Sequence, residues 1–279
     1  MQIRRVSNSQ IRNLVTSRAI RLIKALVGLI GLEINRAGTV ERLATNLKNK
    51  GSFNFGFYSH LPSMDSKILL NCLELSQSQY GQEIFALAEL EFKRQGFFVE
   101  IGATNGITFS NTYMLETKYG WNGILAEPAK CWHEDLDANR SCNIEKKCVY
   151  SSSGMELIFN ETEARMLSTI DTFSSLDSWG TTRKQGKKYP VQTISMNDLL
   201  SKYDAPISID YLSIDTEGSE YEILRALDFH RYSFKVITCE HNDTVSRENI
   251  YKLLTSKGYK RKFESLPFAE DWYIRNEEW

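Results

Sequence analysis

The sequence predicts an α/β fold, a mostly parallel sheet covered by helices on both faces. Three observations carry this expectation. Short apolar runs alternate with stretches of helical periodicity from residue 80 onward, a glycine-bearing turn follows the first run, and acidic residues close several of the others.

Gly96–Ile101 is a five-to-six-residue apolar strand, and Ser110–Tyr119 after it has helical spacing. Gly123–Glu127 is the second strand, followed by a helix over Lys130–Arg140. Cys142–Tyr150 is expected to carry the third strand and Met155–Asn160 another short one. Asp210–Asp215 leads through a tight turn into a helix over Glu220–Leu227. Phe234–Glu240 is the next strand, and a helix over Ile250–Lys257 ends at Gly258. Tyr259–Phe263 and Trp272–Arg275 form a terminal strand pair.

Of the 279 residues, 42% are hydrophobic, which suffices for one sizeable core, or one core plus an extension. Charge is unevenly placed. Residues 1–50 hold ten Lys and Arg against two Asp and Glu, leaving 24 against 33 in the remainder. An acidic main domain offers no face for neutralising phosphates, and the N/D-P-P-Y motif that grips a flipped base is absent, so a nucleic-acid partner is not expected. Within residues 10–32, Ile11, Val15, Ala19, Leu22, Leu26 and Leu29 recur at helical spacing beside Arg12, Arg18, Arg21 and Lys24. That pattern predicts a basic amphipathic helix that packs on the domain, or on a second subunit, or lies peripherally on an anionic membrane. Gly51–Pro62 reads as a connector, which divides the chain into an extension at 1–75 and a main domain at 76–279. The five cysteines are scattered without a C-x-x-C pair and no secretory leader is apparent, as expected of a cytoplasmic protein.

The most informative segment is Glu100-Ile-Gly102-Ala103-Thr104-Asn105-Gly106, where a strand ends and a helix is about to begin. Its two glycines let the backbone turn tightly against a ligand. The spacing is G-x-x-x-G rather than the dinucleotide G-x-G-x-x-G, and Glu100 would repel a pyrophosphate. A cationic nucleoside such as S-adenosylmethionine suits it better. Glu127 ends the next strand, where such sheets present an acid to two ribose hydroxyls.

On the acceptor side, Asp215, Thr216 and Glu217 follow one strand, and Glu240, His241 and Asn242 follow the next. Ser219 and Glu222 have the spacing of a capping box and Glu220 suits a helix first turn. Asp215, Glu217, Glu240 and His241 therefore stand as the catalytic candidates, with a hydrogen-bonded structural role as the alternative for His241. Asp215, Glu240 and His241 could also hold magnesium or manganese. Trp272 and Tyr273 suit either an acceptor pocket or the core, and Arg183–Lys188 reads as a solvated loop.

The stretches SQYGQE, GFFVEIGATNGITFSNTYMLETKYGWNGILAEP, TISMNDLL, IDYLSIDTEGSEYEIL, ITCEHN and DWYI resemble the FkbM family of S-adenosylmethionine-dependent methyltransferases over roughly residues 76–275. The resemblance implies a Rossmann-like class I methyltransferase with a seven-stranded sheet, acting on a hydroxyl of a sugar, glycan or related small natural product. It also implies that the region of Cys148 and Val149 flanks the adenine. The family loop reads G-A-N-D-G, so Thr104 and Asn105 depart from it. The rival readings are a nicotinamide-dependent sugar-nucleotide oxidoreductase, disfavoured because no Y-x-x-x-K pair occurs, and a non-catalytic scaffold that docks through the basic helix.

Overall fold

The computed structural model describes residues 66–264 and 269–276. The amphipathic helix expected at 10–32, its membrane contact and the connector lie outside the described residues. The described chain opens with α1 (Ser66–Leu75) and α2 (Gln82–Glu89). Cys72 and Leu73 of α1 already pack with Ile84, Phe85 and Leu87 of α2 in the main core, N-terminal to the boundary expected at residue 76.

Then follow β1 (Phe97–Ile101), α3 (Tyr113–Tyr119), β2 (Asn122–Ala126), α4 (His133–Asn139) and β3 (Asn143–Glu145). An insert of β4 (Cys148–Tyr150), β5 (Glu156–Glu161), β6 (Thr169–Ile170), α5 (Gly180–Arg183) and β7 (Lys187–Ser195) comes next. After it run α6 (Met196–Lys202), β8 (Ser208–Ile214), α7 (Glu220–Arg225), β9 (Ser233–Glu240) and α8 (Ser246–Ser256). The chain closes with β10 (Tyr259–Lys262) and β11 (Glu270–Arg275).

The main sheet has seven strands in the order β10-β11-β9-β8-β1-β2-β3. All its pairings are parallel except the two made by β11, which lies antiparallel between β9 and β10. Successive residues serve opposite faces. Phe98, Leu125, Tyr211 and Val236 meet one core cluster, while Val99, Ile124, Leu212 and Ile237 meet the other. Burial on both faces is why these strands read as continuous apolar runs. The order reverses between β1 and β8, which opens a crevice at their carboxyl ends.

The insert forms a second sheet, β4-β7-β5-β6, with its own small core around Phe159, Ile170, Tyr189 and Val191. The single strand expected over Cys142–Tyr150 is therefore two. Lys146 and Lys147 turn the chain from β3 in the main sheet to β4 in the second. The strand β7 and the helix α6, capped by Ser195 Oγ accepting from Asp198 N at 3.1 Å, were not predicted as elements. Trp272 and Tyr273 resolve as core: Trp272 stacks on Phe85 with ring centroids 4.8 Å apart, and Tyr273 is fully buried. Among the described residues no helix is long and apolar enough to cross a membrane.

Candidate active site

The crevice at the reversal point is a cavity of about 300 Å³ whose walls come from the ends of β1, β2, β8, β9 and β11 and from the insert. At its floor, Gly102 has φ +89°, and a Cβ there would lie 1.8 Å from the Asp215 carbonyl oxygen. Only a residue without a side chain lets the loops after β1 and β8 approach this closely. The Ala126 carbonyl accepts from both Gly102 N (2.9 Å) and Ala103 N (3.2 Å), which closes the loop onto β2.

Glu127 stands on the wall at the tip of β2. One of its oxygens accepts from Thr104 N and the other from Ala129 N, both at 2.8 Å. Each carboxylate oxygen has a second lone pair, so two acceptor positions remain for a ligand. Burial pushes its carboxyl up to about 7, against the two backbone hydrogen bonds.

Glu100 lies behind the loop, away from the cavity. Its carboxylate accepts from Asn111 N (2.7 Å), Ser110 Oγ (3.0 Å) and Thr112 Oγ1, with the buried Arg140 guanidinium 3.8 Å away. Burial raises its pKa while Arg140 and these bonds oppose the rise. The expectation that Glu100 faces a cationic ligand is thus corrected: its charge is spent on fixing residues 110–112. Ala103, Asn105 and Gly106 are also off the wall. Ala103 is core. Asn105 Oδ1 accepts from Ile107 N and Thr108 N, shaping the turn, and a Cβ on Gly106 would meet Arg140 Cγ at 2.6 Å.

Thr104 lines the cavity with φ +47°, a left-handed conformation that β-branched residues resist and Asn tolerates. Thr104→Asn should therefore raise stability by about 1 kcal/mol, partly offset by loss of the Thr104 Oγ1 bond to the Thr108 carbonyl at 3.1 Å. A thermal midpoint equal to or below that of the parent would show that the conformation carries no strain.

Four acids also gather on the wall. Asp215, Glu217 and Glu240 each bring one oxygen within 4.8 Å of the others, a set able to hold a divalent cation, and Glu270 joins them from β11, paired in register with Glu240. Burial raises all four: Asp215 to about 6, Glu217 and Glu270 to about 8, and Glu240 well above its ordinary range, with Asp215 adding repulsion at Glu217 and Glu240. Groups with such values are suited to exchanging protons near neutrality. The expected Ser219–Glu222 capping box does not form, and Glu220 in the first turn of α7 instead ties down the loop before it. Its Oε1 accepts from Thr216 N (2.9 Å), Thr216 Oγ1 (2.8 Å) and Gly218 N (3.0 Å).

His241 is not on the wall, which overturns its candidacy as the base. The side chain is almost wholly buried, with Nδ1 accepting from Asp243 N at 3.0 Å and Nε2 turned toward Asp271, 3.7 Å away, behind β9. Strand alternation explains this. Glu240 faces the crevice, so its neighbour points elsewhere. The cation set accordingly uses Glu217 in place of His241. Val149 lines the cavity beside Cys148.

Residues 100–261, more than half of the chain, match the model of the FkbM methyltransferase domain. The chain belongs to the FkbM methyltransferase family. Its fold is the class I Rossmann-like fold of S-adenosylmethionine-dependent methyltransferases. Among solved structures it is similar to a methyltransferase FkbM from Methylobacillus flagellatus KT, at 13% identity and TM-score 0.43 over 93% of this chain and 60% of that one. It is also similar to a precorrin-6y C5,15-methyltransferase from Geobacter metallireducens GS-15, at 11% identity and TM-score 0.39 over 77% and 93% of the two chains. No curated protein matches.

Three residues of this FkbM domain's site escaped the sequence reading. Asn111 lines the cavity with Nδ2 donating to Ser213 Oγ at 2.8 Å, and its buried Oδ1 lacks a hydrogen-bond partner. Its signal was faint, a polar residue just after the glycine loop. Glu270 arrives from a strand that returns antiparallel from far along the chain, which local patterning does not reveal. Arg183, expected in a solvated loop, is fully buried and pairs with Glu217 at 2.5 Å.

Proposed function

We propose that this FkbM domain is an S-adenosylmethionine-dependent O-methyltransferase whose acceptor is a hydroxyl of a sugar, glycan or related small natural product. The observation that carries it is the pairing, across one cavity, of Glu127 with two free acceptor positions and an acid cluster of raised pKa. Asn111 Oδ1, buried without a partner, fits an ammonium group. When bound, the donor supplies a methyl group on a sulfonium.

The chain's own residues do the rest. Glu127 anchors the ribose diol, and Val149 with Cys148 flanks the adenine. Gly102 and Thr104 bring backbone against the donor. With the donor bound, the Asp215–Glu240 pair would take up the proton of the acceptor hydroxyl whose oxygen receives the methyl group. Neutral carboxyls would not do this, so the pair must be deprotonated on at least one member, which a neighbouring sulfonium favours.

Calorimetry with S-adenosylmethionine and with NAD, followed by labelled methyl transfer to a panel of glycosides with free hydroxyls, tests the reading. Binding of NAD instead of the methyl donor would overturn it. Glu127→Ala should weaken donor binding by about 2–3 kcal/mol, or roughly 30- to 150-fold, and unchanged affinity in calorimetry would remove Glu127 from the ribose site. A magnesium ion on Asp215, Glu217 and Glu240 is a second reading, favoured by the 4.8 Å clustering of their oxygens. Turnover that survives chelation unchanged would eliminate it.

A further inference from the structure

The insert contributes the cavity wall facing the acid cluster through Arg165, Met166, Leu167, Ser168 and Trp179. Met166 and Trp179 are large apolar side chains on this wall, left 44% and 46% exposed. This wall is short of regular structure. Between β6 and β7 it holds only a 3-10 turn and the four residues of α5, so other contacts must fix it.

Asn160 Nδ2 donates to Ser174 Oγ and to the Arg183 carbonyl, both at 2.9 Å, and Lys188 Nζ to Asp171 at 2.9 Å, but the link to the acid cluster comes through one guanidinium. Arg183 is fully buried and its nitrogens reach three separate segments: Nε donates to the Leu167 carbonyl at 2.7 Å, Nη1 to Asp177 Oδ1 at 2.6 Å and Nη2 to Glu217 Oε2 at 2.5 Å. Asp177 Oδ1 also accepts from Trp179 N at 2.8 Å, which ties the tryptophan into the same knot. Thr169 Oγ1 donates to the Thr216 and Glu217 carbonyls at 3.2 and 3.0 Å, so the backbone around Glu217 is held independently of Arg183. Among the described residues, Arg183 connects the Glu217 side chain, which also accepts from Asn242 Nδ2 at 3.1 Å, to the Leu167 and Asp177–Trp179 parts of the wall. A planar fork of five donors can span three acceptors at once, and an ammonium cannot.

We propose that Arg183 is a positioning residue that locks the Met166–Trp179 wall onto the Glu217 carboxylate, so that the surface receiving the acceptor and the acid cluster are set as one unit. It rests on the methyl-transfer reading of the cavity, and it assigns the acceptor's apolar face to Met166 and Trp179. A residue that only stabilised the insert would need Asp177 and Leu167 but not Glu217.

Hydrogen-exchange mass spectrometry on the full chain separates the two. Glu217→Met removes the acceptor while leaving Asp177, Leu167 and Thr169 in place. It should speed exchange across residues 171–179 by about tenfold, the loss of one charge-assisted hydrogen bond, with β1 and β8 peptides unchanged. Arg183→Lys should do the same, and Glu217→Gln, which keeps an acceptor oxygen, should restore part of the protection. Parental exchange over 171–179 in Glu217→Met overturns the proposal, because the wall would then be held by the insert's own contacts. With a glycoside that the enzyme methylates, Arg183→Lys should raise the acceptor KM about tenfold while donor affinity in calorimetry stays within about twofold. An equal loss of both would also overturn it. Failure of the parent to bind S-adenosylmethionine would instead strike the functional reading, and leaves the exchange result free to decide the coupling.

Discussion

Arg140→Met is expected to destabilise the domain by about 3–5 kcal/mol, the cost of removing one partner from a buried ionic network. The Arg140 side chain is wholly buried. It pairs through Nε with Glu116 at 2.6 Å, and its other nitrogens donate to the Gly106 carbonyl (3.0 Å), Ser110 Oγ (3.1 Å) and Thr112 Oγ1 (2.9 Å). Its guanidinium also lies over the Phe98 and Tyr113 rings. Met fills most of the volume but leaves Glu100 with no cation nearby, in a place where burial already disfavours its charge. The glycine loop and residues 110–112 hang on these contacts, so donor binding should fall together with stability. Arg140→Met combined with Glu100→Gln should recover part of the loss, since the second change removes the stranded charge. Denaturant unfolding decides it: a loss below about 1 kcal/mol for the single variant would mean that solvent reaches Glu100 and that the network is not closed.

How much of this was legible in the sequence follows from which contacts are local. The strands β1, β2, β8 and β9 announce themselves because burial on both faces leaves uninterrupted apolar runs. Their end residues Glu127, Asp215 and Glu240 follow directly, since the ends of parallel strands share one edge of the sheet. The alternation within a strand end is harder to phase. Glu240 and His241 are adjacent, only one can face the crevice, and the imidazole's chemistry favoured the wrong one. Glu100 presents the same ambiguity in another form, because a carboxylate at a strand tip suits a cationic ligand and a network of hydroxyls equally well. The strand β7 was hidden because its first residues, Lys187 and Lys188, belong to the run that reads as a solvated loop, and Pro190 follows them. There the proline sits opposite Ile158 in an antiparallel pair. Arg183 was hidden for a similar reason: a run of Lys, Arg and Gly predicts solvent, and its first member is paired with Glu217, far along the chain, as well as with the nearby Asp177.

Stability of the unliganded domain should fall by several kcal/mol as pH rises from about 5.5 to 8.5, the reverse of the usual acid lability of salt-bridged proteins. Glu127 is raised to about 7 and Glu217 and Glu270 to about 8, with Asp215 at about 6. Between the ordinary carboxylate range and these values the folded state holds protons that the unfolded chain has released. Folding is then linked to proton uptake, and each pH unit through that window costs the native state about 1.4 kcal/mol per proton so held. Groups shifted the other way act lower down. Asp271, held far below its usual range by His241 and Arg247 against the burial that would raise it, and Asp210, held down by Lys235 and Lys93 despite its burial, contribute stability that disappears only in acid below about pH 4. Stability should therefore peak between the two regimes, near pH 5. A cation that occupies the cavity binds the deprotonated carboxylates, so S-adenosylmethionine or magnesium should protect more at pH 8.5 than at pH 5.5. Thermal midpoints measured across this range with and without each ligand provide the test. A midpoint that is flat or rising toward pH 8.5 in the unliganded protein would mean that these acids are ionised and compensated already, and that the cavity has no surplus of negative charge with which to attract a sulfonium.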